Sequence, residues 1–130
     1  MQIIQNVVVK QVLTEKSKAE LLRKYEAARL QLQKEKEQLR FEAKRMEKTK
    51  KFHPASVRKH FEKEIQNREE KIKLLEFQIE QLHLLPLGSE LKEGEVQALV
   101  EVAVGDRWED IVKKKTIIIK DGIVSEIRQG

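Results

Sequence analysis

The chain of 130 residues contains no cysteine, so disulfides and thiolate metal ligands are excluded. Proline is nearly absent as well: Pro54 and Pro86 are the only two, and with five glycines they leave few points at which regular structure must break. Aromatic residues make up 5% of the sequence, and a hydrophobic content of 39% is matched by 38% charged residues, a balance too polar for a large globular core. An elongated protein is expected. No stretch approaches the ~18 consecutive apolar residues of a membrane span, and the N-terminus lacks a basic segment followed by an apolar run. The sequence therefore reads as cytoplasmic. It holds no glycine-rich phosphate loop, nucleophile elbow or HExxH pattern, and His53, His60 and His83 have no Cys or carboxylate partners at ligand spacing. A protein without catalytic residues, metal or cofactor is the expectation.

What is present is strongly periodic. Residues 2 to 13, rich in Val and Ile and without a charged helix face, read as a strand. The period then changes to that of a helix. Ser17-Lys18-Ala19-Glu20 fits a capping box, with Thr14 as an alternative cap one turn earlier. From there to about Lys50 neither Gly nor Pro occurs, and Glu, Lys, Gln, Leu, Arg and Ala dominate. Pro54, tolerated in the first turn of a helix, opens a second helix running to about Leu84, where Pro86 and Gly88 stop it.

Alternating steps of three and four pick out one apolar seam per helix. The first runs Leu22, Tyr25, Arg29, Leu32, Lys36, Leu39, Ala43, Met46; the second runs Arg58, Phe61, Ile65, Arg68, Ile72, Leu75, Ile79, Leu82. Folding the chain at Phe52 pairs them end to end, from Leu22 with Leu82 to Met46 with Arg58, and every pair of numbers sums to 104. Two patterns read separately agree on one fold-back point, which predicts an antiparallel intramolecular coiled coil over 15 to 85. Lys36 opposite Arg68 puts two cations in mid-seam, where both snorkel on their aliphatic stems or form a joint or an acidic contact.

Residues 86 to 130 have the punctuation of β-structure. Glu95 to Val104 alternates around Val96, Ala98, Val100, Val102 and Val104, with Gly94 before it and Gly105-Asp106 after it. Thr116 to Lys120 and Ile123 to Arg128 flank Asp121-Gly122, a two-residue hairpin signal. An antiparallel hairpin returns the chain to its start, so residues 1 to 14 join 86 to 130 in one small β domain. The fold class is α+β: a long helical hairpin inserted after the first strand of a small sheet or SH3/OB-like barrel. Trp108 reads first as a sheet-packing residue and second as a surface stacking site beside Arg107.

Residues 44 to 63 concentrate charge. Lys44, Arg45, Lys48, Lys50, Lys51, Arg58, Lys59 and Lys63 face only Glu47 and Glu62, a local net charge of +6 in a chain of +5. The fold-back places this stretch at the tip of the hairpin. Such a knob is either a solvated surface or an anion site, with RNA the leading ligand because phosphates reward clustered Lys and Arg. Phe52 at the turn either caps the seam or stacks on a base. Leu30, Phe41, Leu74 and Phe77 fall outside the seam, and Leu74 with Phe77, three apart, form a candidate interaction face for a protein partner or a homodimer.

The segments QIIQNVVVKQVLTEKSK, LEFQIEQLHLLPLGSELKEGEVQALVEVAVGDRWEDI and KTIIIKDGIVSEI resemble the YlqD family of small bacterial proteins, over the whole chain. The resemblance implies no enzymatic activity and no catalytic residues. It also implies genes near those for a small-subunit ribosomal protein, a ribosome maturation factor and a tRNA methyltransferase. The expected function is that of a noncatalytic accessory protein of translation or ribosome assembly, with RNA or a ribosomal particle as partner. The alternative is a protein-interaction or structural module that dimerises or docks through its stalk. Attachment to anionic lipid ranks last, since the tip lacks an apolar face.

Overall fold

The computed structural model describes residues 1–49 and 55–129. The elements in order are β1 (Gln2–Val12), α1 (Glu15–Thr49), α2 (Ala55–Leu84), β2 (Glu90–Glu101), α3 (Trp108–Val112), β3 (Lys115–Lys120) and β4 (Ile123–Gln129). They form two compact units, one of Met1–Lys18 with Pro86–Gly130 and one of Ala19–Leu85.

The first unit is a four-stranded sheet of order β2-β1-β3-β4. β1 pairs antiparallel with β2 and parallel with β3, and β3 pairs antiparallel with β4. The sheet is open. Of the two β architectures the sequence allows, the barrel is therefore incorrect: β2 and β4 are free edges. One link still joins those edges, because Arg128 of β4 donates to both carboxylate oxygens of Glu90 in β2, at 2.8 and 2.6 Å. The strands between them are two, so the sheet is curled far enough for side chains to span its face. Val7, Val9, Leu13 and Ile118 are the buried apolar residues of this unit.

The start of α1 differs from the first-choice capping box. Thr14, not Ser17, is the cap: its Oγ1 accepts from the Ser17 N–H at 3.1 Å, and Ser17 Oγ accepts in return from the Thr14 N–H at 2.8 Å. Ser17 stands at the third helical position and is 2% exposed, which a terminal cap would not be. β2 starts at Glu90, earlier than its alternating core suggests, because the pairs Lys10 with Lys92 and Gln11 with Leu91 extend the ladder past a bulge at Glu93. It ends at Glu101 and not at Val104, because its partner β1 begins at Gln2 and Val104 stands exposed beyond the ladder. The Asp121-Gly122 turn is as read, with φ of 49° and 81° at its two residues.

In the second unit, α1 and α2 run antiparallel. Three ion pairs cross between them, Glu35 with Arg68 at 3.7 Å, Arg40 with Glu69 at 3.1 Å and Glu47 with Arg58 at 3.6 Å. From Glu35 to Glu47 the position advances twelve residues along α1, while the partner moves back from Arg68 to Arg58 in α2. Every seam residue from Leu22 to Ala43 and from Phe61 to Leu82 is half-buried or buried, with Ile72 and Leu82 deepest, while Met46 and Arg58 are exposed. The expected seam is thus the observed one, and the Glu35–Arg68 and Glu47–Arg58 pairs fall close to a register centred on Phe52, which itself lies outside the described residues. The mid-seam cations are treated unequally: Arg68 is held by Glu64 one turn away and by Glu35 across the seam, while Lys36 is half-buried without an ion pair among the described residues.

Candidate nucleic-acid interface

The last turns of α1 and the first turns of α2 carry the cationic cluster. Lys44 and Lys48 are four residues apart, as are Lys59 and Lys63, and that spacing stacks each pair along one helix face. Arg45 and Arg58 add further directions. All six of these residues are exposed. Lys50 and Lys51, also candidates, lie outside the described residues, as do His53 and Pro54.

Charge balance separates this end from the rest of the hairpin: residues 19–43 and 64–85 have nine Lys and Arg against ten Glu, whereas residues 44–63 have eight against two. Arg29, Arg40 and Arg68 along the shaft each meet a glutamate, at 2.6 Å for Arg29 with Glu26 and 3.1 Å for Arg40 with Glu69. Among the described residues Lys44, Arg45, Lys48, Lys59 and Lys63 form no ion pair, and only Arg58 is engaged, by Glu47. Helix dipoles divide the cluster further. Lys48 in the last turn of α1 opposes the negative helix end, a favourable position; the first turn of α2 has no acidic residue, and Arg58 and Lys59 follow it closely. A positive helix terminus with Lys59 beside it, unpaired among the described residues, attracts phosphate. His60 and Phe61 meet edge to face with centroids 6.0 Å apart, and Phe61 is half-buried on the seam, so neither ring stands free as a stacking platform.

The other candidates are separate from this cluster. Leu74 and Phe77 are both 57% exposed on α2, on outward positions as read, together with exposed Leu30 and Phe41. Trp108 overturns its first reading: it is 62% exposed, in the first turn of the short α3, and does not pack in the sheet. The reason lies in α3 itself, which the strand-like spacing around it conceals. Gln5 of β1 donates to the carbonyls of Ile111 at 3.1 Å and Lys113 at 2.9 Å, which turns Ile111 inward and Trp108 outward.

The sheet holds a feature that sequence reasoning missed. The Glu90 carboxyl is held below the usual range by the hydrogen bonds of Arg128, with Lys10 adding its charge, and Arg128 is correspondingly raised by Glu90 and Glu126. Nothing in sequence links positions 90 and 128. Only the strand order brings them together. Thr14 Oγ1 donates to Asp121 Oδ1 at 2.7 Å and ties the start of α1 to the β3–β4 turn, a structural contact beside an open depression lined by Leu13, Lys16, Leu87 and Lys120. Among the described residues no cluster of His, Asp or Glu is arranged to hold a metal, and no helix is long and apolar enough to cross a membrane.

The family model described as YlqD protein matches residues 1–128, and the chain belongs to the YlqD family. It is 47% identical over 129 residues to the uncharacterized protein YlqD of Bacillus subtilis (strain 168), covering 99% of each chain. Its fold is similar to that of a crystal structure of a protein of unknown function from Synechococcus sp. WH 8102, with a TM-score of 0.84 at 20% identity, over 98% of this chain and 96% of that one. At that identity the likeness concerns the fold.

Proposed function

We propose that this protein is a noncatalytic accessory factor of translation or ribosome assembly, cytoplasmic, which binds structured RNA through the cationic end of its helical hairpin. One observation carries the reading: the shaft of the hairpin holds nine Lys and Arg against ten Glu, whereas its end, residues 44–63, holds eight against two, and of the described cations there only Arg58 meets a glutamate. Mutual repulsion there has no folding benefit, so a polyanionic ligand is the physical rationale for keeping it. The gene neighbourhood implied by family membership points the same way. Lys48, Lys50, Lys51, Arg58 and Lys59 supply phosphate contacts, which position the protein without reading sequence.

The test is sedimentation of cell lysate through a sucrose gradient at low and high salt, with wild type beside a variant carrying Glu at those five positions. Salt-sensitive co-migration with ribosomal particles, lost in the variant, is the expected result. With purified single-stranded RNA, engagement of about four phosphates gives a log-log salt slope of roughly −3. Binding that ignores salt, or that survives all five reversals, overturns the proposal.

A second reading, a protein-docking module, rests on exposed Leu74 and Phe77 three residues apart on α2. A partner bound there is released by Leu74→Asp with Phe77→Asp and is indifferent to the five charge reversals.

A further inference from the structure

The two edges of the sheet differ in how they meet solvent. An edge strand offers unpaired N–H and C=O groups to any passing strand, and charge and bulges are the usual protection. β2 has both: Glu90, Lys92, Glu93, Glu95 and Glu101 along its length and a bulge at Glu93. β4 carries only Glu126 and Arg128 as charges, and all seven of its residues are exposed. Ile123, Val124 and Ile127 are among the largest exposed apolar side chains of the sheet.

The irregularity in β4 works in the opposite sense to the one in β2. Val124 and Ile127 are three residues apart and would point to opposite faces of a regular strand. The ladder runs Ile117 with Ile127 and Ile118 with Glu126, then shifts to Ile119 with Val124, which loops out Ser125. The Ser125 hydroxyl secures the bulge by donating to the Ile118 carbonyl at 3.2 Å. Val124, 56% exposed, and Ile127, 62% exposed, therefore share the face of half-buried Ile117 and Ile119. An apolar face continues to the free edge. Glu126 and Arg128 stand together on the other face, joined at 3.0 Å.

The order of residues around Ile127 identifies what fits that edge. In an antiparallel pairing about a two-fold axis at Ile127, each Ile127 faces its own copy, and each Glu126 faces Arg128 of the second copy. Directly opposed residues of opposite charge support a pairing, and like charges oppose it. Glu-Ile-Arg is self-complementary in this sense, as a closed two-fold interface demands. We propose that a second copy of this chain adds to the free edge of β4 in this register, joining the two sheets into one and covering Val124 and Ile127. The interface is independent of the RNA-binding reading and of Leu74 and Phe77.

Sedimentation velocity of the full chain across a wide concentration range tests it. Wild type forms a dimer. Glu126→Arg alone and Arg128→Glu alone each place like charges opposite one another and weaken dimerisation about tenfold or more, counting both symmetry-related contacts. The double exchange restores opposite charges and recovers the dimer, although it leaves Glu90 without its arginine. Ile127→Lys yields a monomer with unchanged far-UV circular dichroism. If loss of the Glu90 contact unfolds Arg128→Glu, the variants Glu126→Arg and Ile127→Lys carry the test. A wild type monomeric at every concentration overturns the proposal, as does a dimer indifferent to these two variants or dissolved only by Leu74→Asp with Phe77→Asp.

Discussion

The sheet unit and the helical hairpin spend their residues differently. The sheet unit has ten Lys and Arg against ten Asp and Glu, while the hairpin has seventeen against twelve and so carries the entire +5 of the chain. In the sheet a few side chains are sealed: Val7, Val9, Leu13 and Ile118 are buried. In the hairpin the seam is long and shallow, with Ile72 and Leu82 buried, Met46 and Arg58 exposed and the other positions half-covered. A concentrated core is fragile at each of its points and tolerates little change. A distributed seam spreads the stabilisation thinly over many contacts, which leaves its outer positions free to carry charge for other purposes.

That contrast is most easily broken by truncation. Ile118→Ala, at 2% exposure, removes a sealed side chain and is expected to cost about 2 to 5 kcal/mol. Leu39→Ala, on a half-buried seam position, is expected to cost about 1 to 2 kcal/mol, because its cavity is open to solvent on one side. Urea unfolding followed by circular dichroism measures both. Equal losses would mean that the hairpin has a core of the same kind as the sheet.

Smaller is the effect at the entry to α1, where two capping schemes make different forecasts. With Thr14 and Ser17 bonded reciprocally, Thr14→Ala and Ser17→Ala each cost about 0.5 to 2 kcal/mol, and Glu20→Ala, on an exposed position, stays near zero. A large effect at Glu20 in the same urea experiment would restore the other capping box. Smaller again is Lys36→Leu, expected to stabilise the hairpin by about 0.5 to 1 kcal/mol by replacing a half-buried cation with an apolar side chain. Its seam neighbour Arg68 behaves otherwise, since removing it strands Glu35 and Glu64.

The hairpin was legible because its signal is local and repeated. Leu22, Tyr25, Leu32 and Leu39 against Ile65, Ile72, Ile79 and Leu82 carry the period, the helix termini and the register together, and three crossing ion pairs agree with the fold-back they imply. The Asp121-Gly122 turn was legible for a related reason, since its chemistry admits few conformations. Trp108 was not, because a five-residue helix has too few turns to display a period and its orientation is set by Gln5, more than a hundred residues away. The strand order was not legible either: alternation specifies which face a residue takes and says nothing about its neighbouring strand. Hence the parallel pairing of β1 with β3, the free edge at β4 and the Glu90–Arg128 contact all required the structure. At the cationic end the residues were readable and their unpaired state was not, because the presence of Glu47 and Glu62 in sequence does not say which cations they engage.

The smallest expected effect bears on how the sheet holds its edges together. Glu90 titrates below its usual range because Arg128 donates to its carboxylate, so the folded state favours the charged form more than the unfolded chain does. A depressed carboxyl contributes stability that is fully present above its unfolded pKa and is lost as pH falls through the folded one. Thermal melts of wild type and Glu90→Gln should therefore differ most near neutral pH and converge as the medium becomes acidic, with wild type the more stable at the neutral end. The pair is solvent-exposed, so its worth is small and added salt should narrow the gap at pH 7. A difference that persists unchanged into acid would mean that Glu90 ties β2 to β4 by shape and packing, and that the curl of the sheet does not depend on the charge.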